Sequence, residues 1–243
     1  PDRAQVVSNA RRISSWETFL ESLKSALEAQ KTKGGAGLRV LTETVTSPTL
    51  AFQLDTLLKE FPEARWHQYE PINRDSGRAG ARIAFGEEVE PIYHFEKADV
   101  ILSFDADFLF FLTGSVRYAR DFSAKRKVRD ANGEMNRLYM AESAPSISGS
   151  VADHRLSLRA SEVEAFARAV AKEVGVADVR PAQWEGRTKH AKWITALVKD
   201  LQKHQGASVV VAGDFQPPVV HALAHALNHA LGNVGKTVEY IAP

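Results

Sequence analysis

The chain has 243 residues, 44% of them hydrophobic and 25% charged, with a net charge of +1 and no cysteine. These values fit a folded protein long enough for one large or two small domains, and so balanced a charge carries no electrostatic signature of binding to nucleic acid or anionic lipid. The missing thiols exclude disulfides, thiolate zinc sites and cysteine-ligated iron–sulfur clusters within these residues, and no apolar run approaches the roughly 20 residues of a membrane helix.

Ser14 and Ser15 ahead of Trp16-Glu17 predict a helix start with Ser15 as its cap. Trp16, Phe19, Leu20, Leu23 and Leu27 then recur at helical spacing, and the glycines at 34, 35 and 37 end the element. Leu38–Thr42 reads as a strand, a loop at 44–48 leads into a helix over about 49–61, and Arg65–Tyr69 reads as the next strand, a β-α-β unit of the kind that builds parallel sheets. Residues 73–96 are polar and punctuated by glycine, with a helix expected around Gly80–Phe85. Ala98–Phe104 is a second apolar strand, Phe108–Tyr118 reads as helical, and 125–132 is a charged loop. Leu138–Ala141 is a short strand, followed by a loop of small polar residues, Glu142–Ser150, by the segment Ala152–Leu158, and by a helix from about Ser161 to Val174. An amphipathic helix follows over Thr188–Lys203, then a buried strand, Ser208–Ala212, and a loop, Gly213–Gln216. The last helix opens on Pro217 and Pro218, which the first turn tolerates, and stops at Gly232. Strands alternating with helices predict an α/β protein: Rossmann-like, mainly parallel sheets with flanking helices, in two lobes. No signal peptide is visible, and a chain opening on Pro1 reads as a piece cut from a longer polypeptide, any export signal having been removed with the rest.

Open α/β sheets bind ligands outside the carboxyl ends of their strands, which directs attention to Asp105-Ala106-Asp107 and to Glu142–Ser150. A dinucleotide pyrophosphate needs glycine there for close approach and donors aimed at phosphate. Asp105 and Asp107 instead offer up to two negative charges, at a cost of several kcal/mol by order of magnitude. Each feature also has a plainer role: Asp105 and Asp107 as caps of a following turn, Asp153 and Arg159 as structural partners, Glu142–Ser150 as a surface turn. Ser146 and Ser148 lack a histidine–acid pair, which argues against a serine hydrolase. His221, His225 and His229 share one helical stripe, and imidazoles four apart can chelate zinc or copper. The expectation is nevertheless a polar outer face opposite Val220, Leu223 and Leu227, with no native metal, since no HExxH supplies a base. Gly213-Asp214-Phe215-Gln216, with its single glycine, is a poor phosphate loop.

Four segments in order carry a resemblance: Arg12-Ile13-Ser14-Ser15-Trp16-Glu17, Ala98-Asp99-Val100-Ile101-Leu102, the run from Arg137 to Phe166, and Leu231-Gly232-Asn233-Val234-Gly235-Lys236. Together they resemble the molybdopterin-guanine-dinucleotide oxidoreductases. The resemblance implies two Rossmann-like domains, an outer one at 1–72 plus 182–243 and an inserted one at 73–181. Against the family pattern, Asp105-Ala106-Asp107 replaces Gly-x-Asn, Glu142 takes an aspartate's place, Ala144 stands where arginine is usual, and Val163 replaces the carboxylate that grips guanine. Ser146 and Ser148 keep hydroxyls, and Asp153 and Arg159 are retained. The implied cofactor-binding set, Asp107, Glu142, Ser146, Ser148 and Arg159, is therefore vestigial.

Ser47-Pro48-Thr49-Leu50, Ala98–Leu109 with its end Asp105-Ala106-Asp107-Phe108-Leu109, Met135–Tyr139 and Ala152–Leu156 are more closely similar to the molybdopterin-like region of the iron–sulfur subunit of alternative complex III, a quinol-oxidising respiratory assembly. That similarity implies a cofactor-free, non-catalytic structural domain in an electron-transfer complex, partnered by other subunits or domains, periplasmic and membrane-associated without a span of its own. Two alternatives remain open: a fragment of an active oxidoreductase that binds molybdopterin guanine dinucleotide, and a residual nucleotide-binding module.

Overall fold

The computed structural model describes residues 5–128 and 133–242 and divides the chain at Ile72/Asn73 into two compact units. The last four residues of the expected charged loop, 129–132, lie outside the described residues.

The first unit opens with an antiparallel hairpin, β1 (Val7–Asn9) and β2 (Arg12–Ser14). Sequence pattern does not announce it, because Ala10 and Arg11 take the positive φ values of the turn, 47° and 66°, where glycine or asparagine is the usual signal. Ser15 then caps α1 (Trp16–Lys31), its hydroxyl accepting from the Thr18 N–H at 3.2 Å. β3 (Arg39–Thr42), α2 (Pro48–Glu60) and β4 (Arg65–Gln68) form the expected parallel β-α-β unit, with Ser47 as cap and Pro48 in the first turn of α2. Among the described residues of this unit, only Leu54, Phe61 and Ala64 of the hydrophobic side chains are buried, while Leu41, Phe52 and Trp16 are 71%, 70% and 65% exposed.

The second unit contains α3 (Asp75–Phe85), β5 (Glu90–Tyr93), β6 (Val100–Phe104), α4 (Ser115–Ala124), β7 (Arg137–Glu142), α5 (Ile147–Ser150), β8 (His154–Ser157), α6 (Val163–Val174), α7 (Gly186–Lys189), α8 (Ala191–Lys203), β9 (Ser208–Ala212), α9 (Pro218–Ala230) and β10 (Val238–Ile241). Four parallel strands lie in the order β8-β7-β6-β9, with Phe104 of β6 opposite Ala141 on one side and Ala212 on the other. Both faces are covered, so β6 and β9 read as unbroken buried runs rather than alternating ones. Leu102, Phe104 and Val210 face α6, α8 and α9 with Phe166, Leu197 and Leu227. Ile101, Val209 and Val211 face Phe95, Phe108 and Phe122. β5 and β10 pair antiparallel in a separate two-stranded sheet.

Several expectations are revised. Residues 182–243, grouped with 1–72 in the reading of the sequence, fall in the same unit as 73–181, because β9 hydrogen-bonds along the whole of β6 and β10 pairs with β5. The apolar stretch after β6 is helical only from Ser115. Phe108 is instead a core side chain stacked on Phe95, with ring centres 4.4 Å apart, inside a turn closed by the carbonyl of Asp107. The helix expected at Gly80 begins five residues earlier, at Asp75, and the one expected from Thr188 is broken at His190. Ala152–Leu158 contains an edge strand, β8, parallel to β7.

Candidate functional site

The carboxyl ends of β6, β7 and β9 converge on a cluster built from Asp105, Asp107, Glu142, Ser143, Ser146, Ser148 and Gln216. Asp105 leaves β6 at φ 55°, a left-handed conformation that aspartate tolerates better than most residues. Its carboxylate accepts from the Ser143 N–H at 3.2 Å, the Ser143 hydroxyl at 3.1 Å and Nε2 of Gln216 at 3.0 Å, tying three strand ends together. Asp107 reaches across to α5, where Oδ1 accepts from the Ser148 N–H at 2.9 Å and its hydroxyl at 2.7 Å. Neither side chain caps its own turn, the plainer role expected of them; both bridge to the loop after β7.

Glu142 is fully buried. One carboxylate oxygen accepts from the Ser146 N–H at 3.2 Å and hydroxyl at 2.6 Å; the other is paired with Nε of Arg155 on the neighbouring edge strand. Ser146 also caps α5, its hydroxyl accepting from the Gly149 N–H at 2.9 Å. Gly149 is required here, since a Cβ would lie 2.0 Å from the Glu142 carboxylate. Arg155 supplies the cation that Ala144 does not. The sequence signal for it was weak: an arginine in a four-residue strand whose neighbour Leu156 is buried. Ser143 and Gln216 carry no signal at all, because their role depends on a carboxylate from another strand.

The structure thus brings Asp107, Glu142, Ser146 and Ser148 together and leaves Arg159 apart. Arg159 is exposed beyond β8, its N–H donating to Glu162 at 3.0 Å, and its guanidinium joins none of the cluster's hydrogen bonds. Val163 is fully buried in the core. Asp153 is a structural partner as expected: Arg126 grips it with two hydrogen bonds of 2.7 and 2.9 Å, and the Leu138 N–H adds a third. Burial works against its charge, yet these donors hold its carboxyl below the ordinary range.

A second group departs from expectation. The histidine face of α9 is not a polar outer face, for His221 and His225 are 7% and 6% exposed, and only His229 reaches solvent. α3 lies across them because Gly80 lacks a side chain: a Cβ there would meet His221 Cβ at 2.4 Å and the Pro218 carbonyl at 2.7 Å. Burial lowers both imidazoles to about 4, with His221 adding a small repulsion at His225. Nδ1 of His225 lies 3.1 Å from the Tyr240 hydroxyl, whereas Nε2 of His221 has no partner. Among the described residues, no group of three or more histidines and acids is arranged to hold a metal, and no helix is long and apolar enough to cross a membrane.

No family model and no curated protein matches the chain. Among solved structures, the fold is similar to that of acetylene hydratase from Pelobacter acetylenicus, with a TM-score of 0.59 and 15% identity over 96% of this chain and 35% of that one. It is also similar to the formyltransferase/hydrolase complex FhcABCD from Methylorubrum extorquens, with a TM-score of 0.53 and 18% identity over 87% of this chain and 55% of that one. The chain therefore spans about a third and about half of these two neighbours, and the likeness is one of fold.

Proposed function

We propose that this chain is a non-catalytic, molybdopterin-oxidoreductase-like structural domain, free of cofactor, that positions neighbouring subunits or domains of a respiratory quinol-oxidising electron-transfer complex of the alternative complex III type. One observation carries the reading. The N–H groups at the strand ends that would serve a pyrophosphate already serve the chain's own carboxylates, those of Ser143, Ser146 and Ser148 donating to Asp105, Glu142 and Asp107. An entering phosphate displaces hydrogen bonds to charged groups worth about 1.5–3 kcal/mol apiece and then meets the displaced carboxylates as like charges. The residues do not fit a dinucleotide. Asp107, Glu142, Ser146, Ser148 and Arg159 are on this reading the vestige of a cofactor site, converted to an internal brace.

Partnership is supported by the first unit, whose two-stranded parallel sheet is small for independent stability and leaves Leu41, Phe52 and Trp16 largely exposed. The structural likeness to FhcABCD, a protein solved as a complex, agrees with such a role. The periplasmic, membrane-associated setting rests on the sequence resemblance alone.

Two experiments test the proposal. Calorimetric titration with guanosine diphosphate is expected to give dissociation at or above about 1 mM, some 4 kcal/mol; micromolar binding lost in Ser148→Ala would restore a nucleotide site. An affinity-tagged full-length parent protein, solubilised from its native membranes, is expected to migrate on a native gel with a quinol-oxidising assembly; migration as a free monomer refutes the structural role.

A further inference from the structure

Beyond the carboxyl end of β9, a separate polar chamber lies between α3, β5 and α9, a cavity of about 50 Å³. Its walls carry two cations and two anions: Arg74 just before α3, Arg78 from α3, Glu90 from β5, and Asp214 from the loop that leads into α9. Arg74 and Glu90 pair with each other, and Arg78 also stands 3.8 Å from Asp75 and 4.0 Å from Glu88, whereas Asp214 lines the chamber as a carboxylate opposite them. Nε of Arg78 is nevertheless buried without a hydrogen-bond partner. Nε2 of His221, in a side chain more than nine-tenths buried, is also unpartnered. Burial raises the Asp214 carboxyl above the ordinary range; Arg74 opposes this and Glu90 adds to it. Two buried nitrogens without hydrogen-bond partners and the Asp214 carboxylate thus line one small space, unlike the cluster at the ends of β6 and β7, where every carboxylate is engaged.

We propose that this chamber binds a small zwitterion of the α-amino-acid class, of the size of glycine or alanine, with its carboxylate toward Arg78 and its ammonium toward Asp214 and Nε2 of His221. Charge selects the class. The wall is neutral overall, so a simple anion or cation would bring an uncompensated charge into a desolvated space, whereas a zwitterion presents each pole to an opposite one. Volume selects the size: at roughly 10–15 Å³ per water-sized centre, the cavity takes about three to five such positions, and Tyr93 and Tyr118 close it against longer side chains.

Glycine, with acetate and methylamine as its two halves, is titrated into the full chain while the amide resonances of Gly77, Thr113 and Asp214 are followed. Saturable shifts are expected with glycine, at least about tenfold tighter than with either half, and Arg78→Gln and Asp214→Asn are each expected to weaken glycine about tenfold or more with the unfolding midpoint retained. Acetate binding as tightly as glycine overturns the zwitterion assignment. An absence of saturable shifts, or equal affinity in both variants, means that the chamber holds water only and overturns the site.

Discussion

The two polar regions at the strand ends of the second unit use similar residues to opposite effect. At the ends of β6 and β7, three carboxylates and three serines satisfy one another, and even the fully buried Glu142 has a serine on one oxygen and Arg155 on the other. In the chamber beside β9, Nε of Arg78 and Nε2 of His221 are buried without hydrogen-bond partners. The strand-end cluster leaves only Oε1 of Gln216 without a partner among its side chains; a polar cluster whose charged groups are engaged contributes to stability, and one that leaves them open is costly until something enters. Charge and residue type alone do not separate the cases; the hydrogen-bond accounting does.

Substitutions should therefore divide the two regions by their effect on folding. The largest is expected for Glu142→Ala, which removes the buried partner of Arg155 and orphans donors on Ser146: about 3–5 kcal/mol, the scale of a broken buried pair, read from urea unfolding. A loss below 1 kcal/mol would show that the brace is not structural. Next comes pH. His221 and His225 fall from 6.5 to about 4 in the folded chain, so the unfolded chain binds more protons between those values and stability drops as pH falls through that window. For one such ring the drop from pH 7 to pH 5 is about 2 kcal/mol. His225→Phe should flatten the slope by about that amount, and an unchanged slope would mean that the ring is not buried as described. Asp107→Ala, which frees the Ser148 N–H and hydroxyl, is expected to cost about 1–3 kcal/mol in the same assay. Smallest is Asp214→Asn: since burial already disfavours its charge, the unfolding midpoint should stay the same or rise, and a marked fall would place Asp214 with the braced acids instead.

Much of the second unit's plan was legible along the chain. β6 and β9 are continuous apolar runs between turn residues, α6 and α8 carry core side chains at helical spacing, and Ser15 caps its helix as its position predicts. The meeting of Asp107, Glu142, Ser146 and Ser148 was also foreseeable, because parallel strands bring their carboxyl ends together. The hairpin of β1 and β2 was not, for its turn uses alanine and arginine at positive φ. Nor was the pairing of β5 with β10, short strands whose partners lie some 150 residues apart along the chain. Arg155 as the counter-ion of Glu142 depends on strand order, which places β8 beside β7.

Local spacing, capping and apolar runs determined the α/β class and most helices and strands, since each depends on neighbours within a few residues. Only the tertiary structure decided that 182–243 belongs with 73–181, that the acids at the strand ends are braced, and that the histidine face of α9 is covered. The physical reason is the same in each case. Burial and hydrogen-bond partnership are set by what packs from far along the chain: α3, through Gly80, closes over His221 from 141 residues away in sequence, and no periodicity within α9 can report that.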